Sequence, residues 1–436
     1  MFITLISFTL SAQEHWTLKQ CIEYGLKNNR NNTIYANQKK AADARAKEAL
    51  AEYLPKIALT STLDDNLRVQ ETIIPAGIFS DQDIRVAFTK KFQANNTAQL
   101  DQVIYDQSLL TGLKANKYNK EQAQLNLKQT QESIIYNISS AYFQISVYRE
   151  QLELLIANKE IYRRQMEIFQ LQVDKGVTLQ KDLDKVTVDY NNNSSQIRVA
   201  ESNLKLAENE LKFEMGYPIE NTLIVDTIDS EKVPQITSKL TDNAFSPSKK
   251  TEFQLSENKI RLLEIEAKRI RHEALPKLSA YARYGALGFG DTVGETYREL
   301  SMFSAIGLKL NIPILDFYRR GAQHDQAEIE RDNAQEQLKI DEGRYKVDYQ
   351  NAQTKIVEAQ TNVENDRRNV TLAESVLQTT DLQFQKGVTN LTDWLNTQSS
   401  LRTAQNSYLN SLYNFYLATL DLEKAAGTLT EFYNSL

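Results

Sequence analysis

The sequence predicts a mainly α protein with a small β part, built as one domain duplicated. Three observations lead there. The tetrapeptide KGVT occurs at Lys175–Thr178 and again at Lys386–Thr389. Other anchors repeat in the same order: Leu54-Pro55-Lys56 with Leu275-Pro276-Lys277, Asp106…Gly112 with Asp316…Gly321 (one residue shorter), and Met215-Gly216 with Ala426-Gly427, at offsets of 221, 210 and 211 residues, against 211 for KGVT itself. All seven prolines lie outside 76–217 and 314–436, which leaves two long stretches open to helix. Each half is far longer than a solenoid repeat of roughly 20–50 residues.

Residues 1–12 read as the apolar region and cleavage zone of a secretory signal, truncated at its basic start because the first basic residue is Lys19. The first repeat then spans 13–216, a linker 217–250, the second repeat 251–427 and a tail 428–436. Cys21 is a poor lipidation candidate, because Gln20 precedes it where a small residue is wanted. A single cysteine excludes an internal disulfide framework. A net charge of −6 excludes a broad basic surface for nucleic acid. His15, His272 and His324 have no ligand spacing, and no phosphate loop or nucleophile elbow is present. Neither an enzyme nor a bound cofactor is expected.

Before each long helical stretch the apolar pattern has period two. In 301–313, Ser304, Ile306, Leu308, Leu310 and Ile312 share one face, and Ser301, Phe303, Ala305, Gly307, Lys309 and Asn311 share the other. With 278–287 this makes a strand hairpin over 278–313; in the first repeat 57–69 and 84–92 are expected to pair in a hairpin over 57–93. No stretch after the N-terminus is long and apolar enough for a membrane helix, so a membrane crossing requires a closed β-barrel. Four strands cannot close around a hole, since the smallest such barrels have eight, so several copies must share one; three copies supply twelve.

The helical hairpins follow at 107–215 and 316–426. Ile134, Ile138, Ala141, Ile145, Tyr148, Leu152 and Leu155 alternate at spacings of four and three, and Ala352, Ile356, Ala359 and Val363 repeat the stripe. After each KGVT a second stripe starts, at Leu183 and at Trp394. Heptads sustained this long signal a coiled coil, with one narrow seam per helix. KGVT is the bend: Gly176 and Gly387 accept a positive φ and stop the first helix, and Thr178 and Thr389 are expected to cap the second. A fully helical 107–175 would measure about 100 Å.

This ordered set resembles the outer-membrane efflux protein family. The opening Trp16–Asn29 helix, the Leu-Pro-Lys before each first strand, the Gly-Val-Thr tips and the Met-Gly and Ala-Gly helix ends carry the resemblance over residues 16–430. It implies a homotrimer, with a trimeric helical α-barrel continuous with a shared 12-stranded outer-membrane β-barrel. It implies a periplasmic adaptor docked on the tips Lys175, Gly176, Val177, Thr178, Lys386, Gly387, Val388 and Thr389. Behind the adaptor it implies an inner-membrane pump of RND, ABC or MFS type. It places 217–250 and the C-terminus as an equatorial belt. It implies a periplasmic gate near the second tip, where Asp393 matches an acidic position, Asn396 stands where a second acid is often found, and Asp182 is the first-repeat equivalent. Phe384 and Thr389 stand where a gate tyrosine and a gate arginine can occur, so closure here is expected to rest on packing. The competing reading is a soluble periplasmic coiled-coil scaffold. Asp393 and Asp182 equally suit the first turn of any helix.

Overall fold

The computed structural model describes residues 15–77, 81–226 and 245–436. The expected signal at 1–12 lies outside them. The chain divides into two compact units: Met1–Gln38, Ala123–Glu257 and Glu336–Leu436 form one, Lys39–Gln122 and Asn258–Gln335 the other.

In chain order the elements are β1 (His15–Trp16), α1 (Leu18–Asn28), α2 (Arg30–Ala51), β2 (Lys56–Asp65), β3 (Glu71–Ile74), β4 (Ile84–Ala87), β5 (Phe92–Tyr105), α3 (Gln107–Leu113), α4 (Ala115–Asp174), α5 (Gln180–Met215), β6 (Ile224–Val225), α6 (Thr251–His272), β7 (Lys277–Gly290), α7 (Val293–Thr296), β8 (Leu300–Asn311), α8 (Arg319–Gln385), α9 (Leu391–Ala426) and α10 (Leu429–Ser435). The long helices α4 and α8 run 60 and 67 residues, and their partners α5 and α9 run 36 each.

The first unit is helical. Glycine ends both arms of each hairpin in the left-handed region, at Gly176, Gly216, Gly387 and Gly427. At the first tip the Val177 N–H reaches back to Gln172 O at 2.8 Å and the Gly176 N–H to Val173 O at 2.9 Å. The second tip repeats this with Val388 to Gln383 at 2.9 Å and Gly387 to Phe384 at 3.0 Å. These paired bonds satisfy the last carbonyls of the helix in a Schellman arrangement. A side chain at Gly176 or Gly387 would meet open space, whereas a Cβ at Gly216 would lie 2.7 Å from Asn28 O. Gly176→Ala is therefore expected to cost about 1 kcal/mol, from the left-handed backbone alone. Gly216→Ala adds a backbone clash and is expected to lower the midpoint of thermal unfolding, followed by circular dichroism, by clearly more.

The apolar stripes pack as the heptads predict on α4 and α5, with Ile134, Ile138, Ala141 and Ile145 buried against Ala207 and Leu211. The single narrow seam does not hold for α9. Beside Trp394, Leu401 and Phe415 it buries a second row, Leu391, Gln398, Gln405 and Leu412. The reason is that α9 also packs on α4. Phe143 stacks on Tyr416 with ring centres 4.6 Å apart, and Tyr136 donates to Asp421 at 2.8 Å. Around this core β1 pairs in parallel with β6, and Trp16, Tyr24 and Tyr217 meet edge-on. Cys21 is fully buried within α1, and burial, aided by Asp226, pushes its thiol up to about 12.

Glu132 in α4 carries a pH prediction. Burial raises its carboxyl above the usual range, although the Thr251 hydroxyl donates to it at 2.8 Å and Lys128 lies 3.7 Å away. The folded state therefore holds this proton more tightly than the unfolded chain. The resulting cost is fully present above the raised folded value and is relieved as pH falls through it. Glu132→Gln is expected to raise the melting midpoint at pH 7 and to leave it unchanged at pH 4.

The second unit is built on one antiparallel sheet in the order β2-β5-β7-β8. Two strand assignments need correction. The partner of β2 is β5 at Phe92–Tyr105, not 84–92; Ile84–Ala87 instead pairs with Glu71–Ile74 in a separate small hairpin. The period-two signal of β5 is masked because its less polar face carries Ala94, Asn96 and Ala98 in place of large apolar residues. The helix after it is also broken: α3 stops at Leu113 and α4 starts afresh at Ala115.

Candidate duct wall and helical tips

The sheet of the second unit has two chemically different faces. Across its four strands one face aligns Ile57, Leu100, Ala282 and Ile306 in a row, and Leu59, Ala98, Tyr284 and Ser304 in the next. Ile57, Leu59, Ile306, Leu308 and Leu310 are all exposed, Ile306 to 89%. The opposite face aligns Lys56, Asp101, Tyr281 and Gly307, then Ala58, Gln99, Arg283 and Ala305, then Thr60, Thr97, Gly285 and Phe303. An exposed apolar face backed by a polar one is what a strand wall between lipid and a watery passage requires.

Two glycines shape the polar face. A Cβ at Gly307 would come within 2.5 Å of the Tyr281 ring, and one at Gly285 within 2.5 Å of the Phe303 ring. Each aromatic side chain thus lies across a glycine of the adjacent strand and keeps the wall in low relief. At the loop end α7 folds back on the sheet: a Cβ at Gly288 would collide with Thr296 O. β2 and β8 are the edges, and among the described residues neither has a strand partner on its outer side.

The helical tips belong to the first unit. Lys175, Gly176, Val177, Lys386, Gly387 and Val388 are exposed, and both valines stand 73% free. Thr178 and Thr389 do not cap the following helices. The N-caps are Leu179, with no side-chain bond, and Asn390, whose amide oxygen accepts from the Asp393 N–H at 2.9 Å. Each threonine lies one residue too early, so its hydroxyl donates to the acid in the first turn: Thr178 to Asp182 at 3.4 Å and Thr389 to Asp393 at 3.1 Å. Asn390 Nδ2 also donates to Asp393 at 2.9 Å, and Lys185 lies 3.7 Å from Asp182. Both carboxylates are therefore engaged locally, as a helix start favours. Asn396 is exposed, and its carbonyl accepts from Ser400.

Phe384 is part of a tip core. Phe169, Leu183, Val186, Leu391 and Trp394 form a buried cluster with Phe384 packed against it. Phe384 lies 6.0 Å from the Phe169 ring and 6.1 Å from Trp394, and the Trp394 indole N–H donates to Asp381 at 3.1 Å. This cluster draws on α4, α5, α8 and α9, so it joins the two hairpins behind their tips. The stripe position of Trp394 was legible; its meeting with Phe169 across hairpins was not. Further from the tips lies a buried polar layer. Asn193 Nδ2 donates to Leu155 O at 2.8 Å and Gln398 Nε2 to Asn158 Oδ1 at 3.2 Å. Polar groups at seam positions fix register at some loss of stability.

In the second unit His324 does have acidic neighbours, contrary to the reading from spacing. Its ring nitrogen and the Asp325 and Glu328 carboxylates lie within 4.8 Å of one another. Arg331 also lies 3.6 Å from Glu328, so the group is an ion-pair cluster on the surface of α8. Among the described residues, no helix is long and apolar enough to cross a membrane.

A strand wall with one face suited to lipid and one to water, in a chain that also carries duplicated helical hairpins, defines an outer-membrane channel protein. Residues 26–217 and 254–428 match the family model described as outer membrane efflux protein, and the chain belongs to that family. It is similar to the outer membrane protein TolC of Escherichia coli, 22% identical over 346 residues that make up 76% of this chain and 69% of that protein. It is 24% identical over 355 residues, 77% of this chain and 70% of the other, to the alkaline protease secretion protein AprF of Pseudomonas aeruginosa. Among solved structures it resembles CusC with a TM-score of 0.78 at 16% identity, covering 96% of this chain and 95% of that one. VceC of Vibrio cholerae matches with a TM-score of 0.75 at 15% identity, covering 94% and 96%. The two structures share its fold.

Proposed function

We propose that the protein works as a homotrimer, the exit duct of a tripartite efflux or type I secretion system in the outer membrane. The observation that carries this is the four-stranded sheet with one exposed apolar face and two unpaired edges. In lipid an open edge leaves backbone groups unsatisfied, so the sheet needs further copies to close. Three copies give twelve strands, enough for a passage lined by the polar face. Nothing in this reading requires chemistry from the protein: it conducts, and an inner-membrane pump of RND, ABC or MFS type supplies the energy and selects the cargo.

The tips are the docking sites for a periplasmic adaptor. Their support is their identity: two exposed valines on identical Schellman turns, twice per chain, would present six equivalent knobs in a trimer. Val177→Asp with Val388→Asp is expected to abolish export while leaving the amount of assembled protein in the outer membrane unchanged. The gate is a packed one. Asp393, Asp182 and Asn396 flank it, and Phe384 with Trp394 sets how tightly the hairpins hold together.

Topology tests the duct directly. In a Cys21→Ser background, Gly294→Cys in the α7 loop is expected to react on intact cells with a maleimide too large for porins. Val388→Cys is expected to react only after the outer membrane is broken. Gly294 suits this because it is exposed with open space around its Cα, whereas nearby Gly290 is packed under Thr296. Labelling of neither site on intact cells, in folded protein, would return the soluble scaffold as the leading reading.

A further inference from the structure

The duplication leaves one socket filled and its copy empty. In the first repeat, Asp106 N-caps α3, with its carboxylate 2.9 Å from the Ser108 N–H. Lys277, which opens the first strand of the second repeat, places Nζ 3.0 Å from Asp106 Oδ2 and 3.2 Å from Ser108 Oγ. The end of α6 covers the same spot, with His272 Nδ1 2.7 Å from Thr111 Oγ1. Ser108 is consequently only 6% exposed. Among the described residues, the corresponding segment of the second repeat, Ile312–Tyr318, has no such cover: Ile314 is 92% and Tyr318 88% exposed.

The plug for the empty socket exists at the other end of the same chain. Lys56 stands 221 residues before Lys277, and Asp316 stands 210 after Asp106. The sheet obeys the same two offsets independently, since Lys56 pairs with Asp101 as Lys277 pairs with Asn311. Among the described residues, the ion-pair partners of Lys56 and Asp316 are local, Glu52 at 2.5 Å and Arg320 at 2.6 Å, four residues away in each case. Plug and socket on different surfaces of one chain make a head-to-tail contact, which closes into a ring when the rotation returns to its start.

We propose that a second copy of this chain fills the socket, with its Lys56 on Asp316 and its β2 on β8 in one fixed register. That register follows from moving the β5–β7 pairing by the two offsets. Ala98 opposite Tyr284 becomes Leu308 opposite Leu63 of the neighbouring copy, and Gln102 opposite Ala280 becomes Ile312 opposite Leu59. The parity provides a check. Leu308 and Leu63 both belong to the apolar face of their sheet, and Ile312, one residue past the end of β8, keeps the same alternation opposite Leu59, so the apolar face continues unbroken across the joint. A slip by one residue would set Leu63 on the polar face. This interface rests on the homotrimer proposed above and adds the residues that build it.

Disulfide trapping in outer membranes tests it, in full-length protein with Cys21→Ser. Directly opposed Cβ atoms lie about 4.5–5.5 Å apart and diagonal ones about 7–8 Å, and a disulfide needs roughly 3.5–4.5 Å. Leu63→Cys with Leu308→Cys is expected to give reducible dimers and trimers on oxidation. Leu63→Cys with Ile306→Cys or with Leu310→Cys is expected to give none. Cross-linking by a shifted pair, or by no pair while the oligomer is present by native mass measurement, overturns the register and leaves the duct intact. A monomeric native mass for the unmodified protein overturns the homotrimer and this interface together. The ion pair has its own test. Lys56→Asp is expected to lower the temperature at which the oligomer dissociates, and Lys56→Asp with Asp316→Lys to restore it. Failure of the double variant to recover overturns the pair even if the register stands.

Discussion

Trp394→Ala is expected to loosen the periplasmic end of the duct more than any other single change at the tips. The indole is almost wholly buried between the hairpins, packed with Phe169 and Phe384, and its N–H satisfies Asp381. Removing so large a buried side chain costs about 3–5 kcal/mol when the cavity does not collapse. The loss falls on the contact that joins the two hairpins, so a larger share of molecules should stand open. The expected readouts are raised single-channel conductance in planar bilayers and new susceptibility of cells to antibiotics too large for porins. Asp393→Asn is the control. It leaves the Asn390 cap on the residue 393 N–H in place, so its effect on stability is expected within about 1 kcal/mol. If Asp393→Asn opened the channel as strongly as Trp394→Ala, a charged lock would replace packing as the basis of closure.

Ile306→Arg is expected to block assembly into the outer membrane, and Ala305→Arg to be tolerated. The two residues are neighbours in β8, yet they point to opposite faces of the sheet. Ile306 stands in the middle of the exposed apolar face, where an arginine in lipid costs about 2–4 kcal/mol per copy near the midplane. In the homotrimer proposed above, three copies would multiply that cost in one barrel. Ala305 shares its row with Arg283 and Gln99, where a further cation meets water. The measurement is the amount of each variant recovered as oligomer from outer-membrane fractions. Equal recovery of both would mean that the exposed apolar face does not meet lipid.

Both predictions depend on features of unequal legibility. Strand β8 reads directly, because Ile306, Leu308 and Leu310 are large, apolar and two apart. Strand β5 does not, because the middle of its less polar face is Ala94, Asn96 and Ala98, and its place was filled in expectation by 84–92, whose first residues form β4. The bends were legible, since only glycine takes a left-handed backbone without penalty and the same tetrapeptide occurs twice. Their caps were misread by one residue, a shift that turns an N-cap hydroxyl into a partner for the acid in the first turn.

The sequence by itself determined the duplication, the helical hairpins, the alternating faces of β7 and β8 and hence the class of protein. Those properties are periodic, and a period is written along the chain. Only the tertiary structure decided which periodic elements touch. The packing of α9 on α4, the junction of Phe384 with Phe169 and Trp394, and the pairing of Lys277 with Asp106 join residues from different repeats. Contacts of that kind depend on how whole helices and strands are laid beside one another, and no local pattern encodes the choice. The empty socket at Asp316 became visible only because the structure showed its filled counterpart.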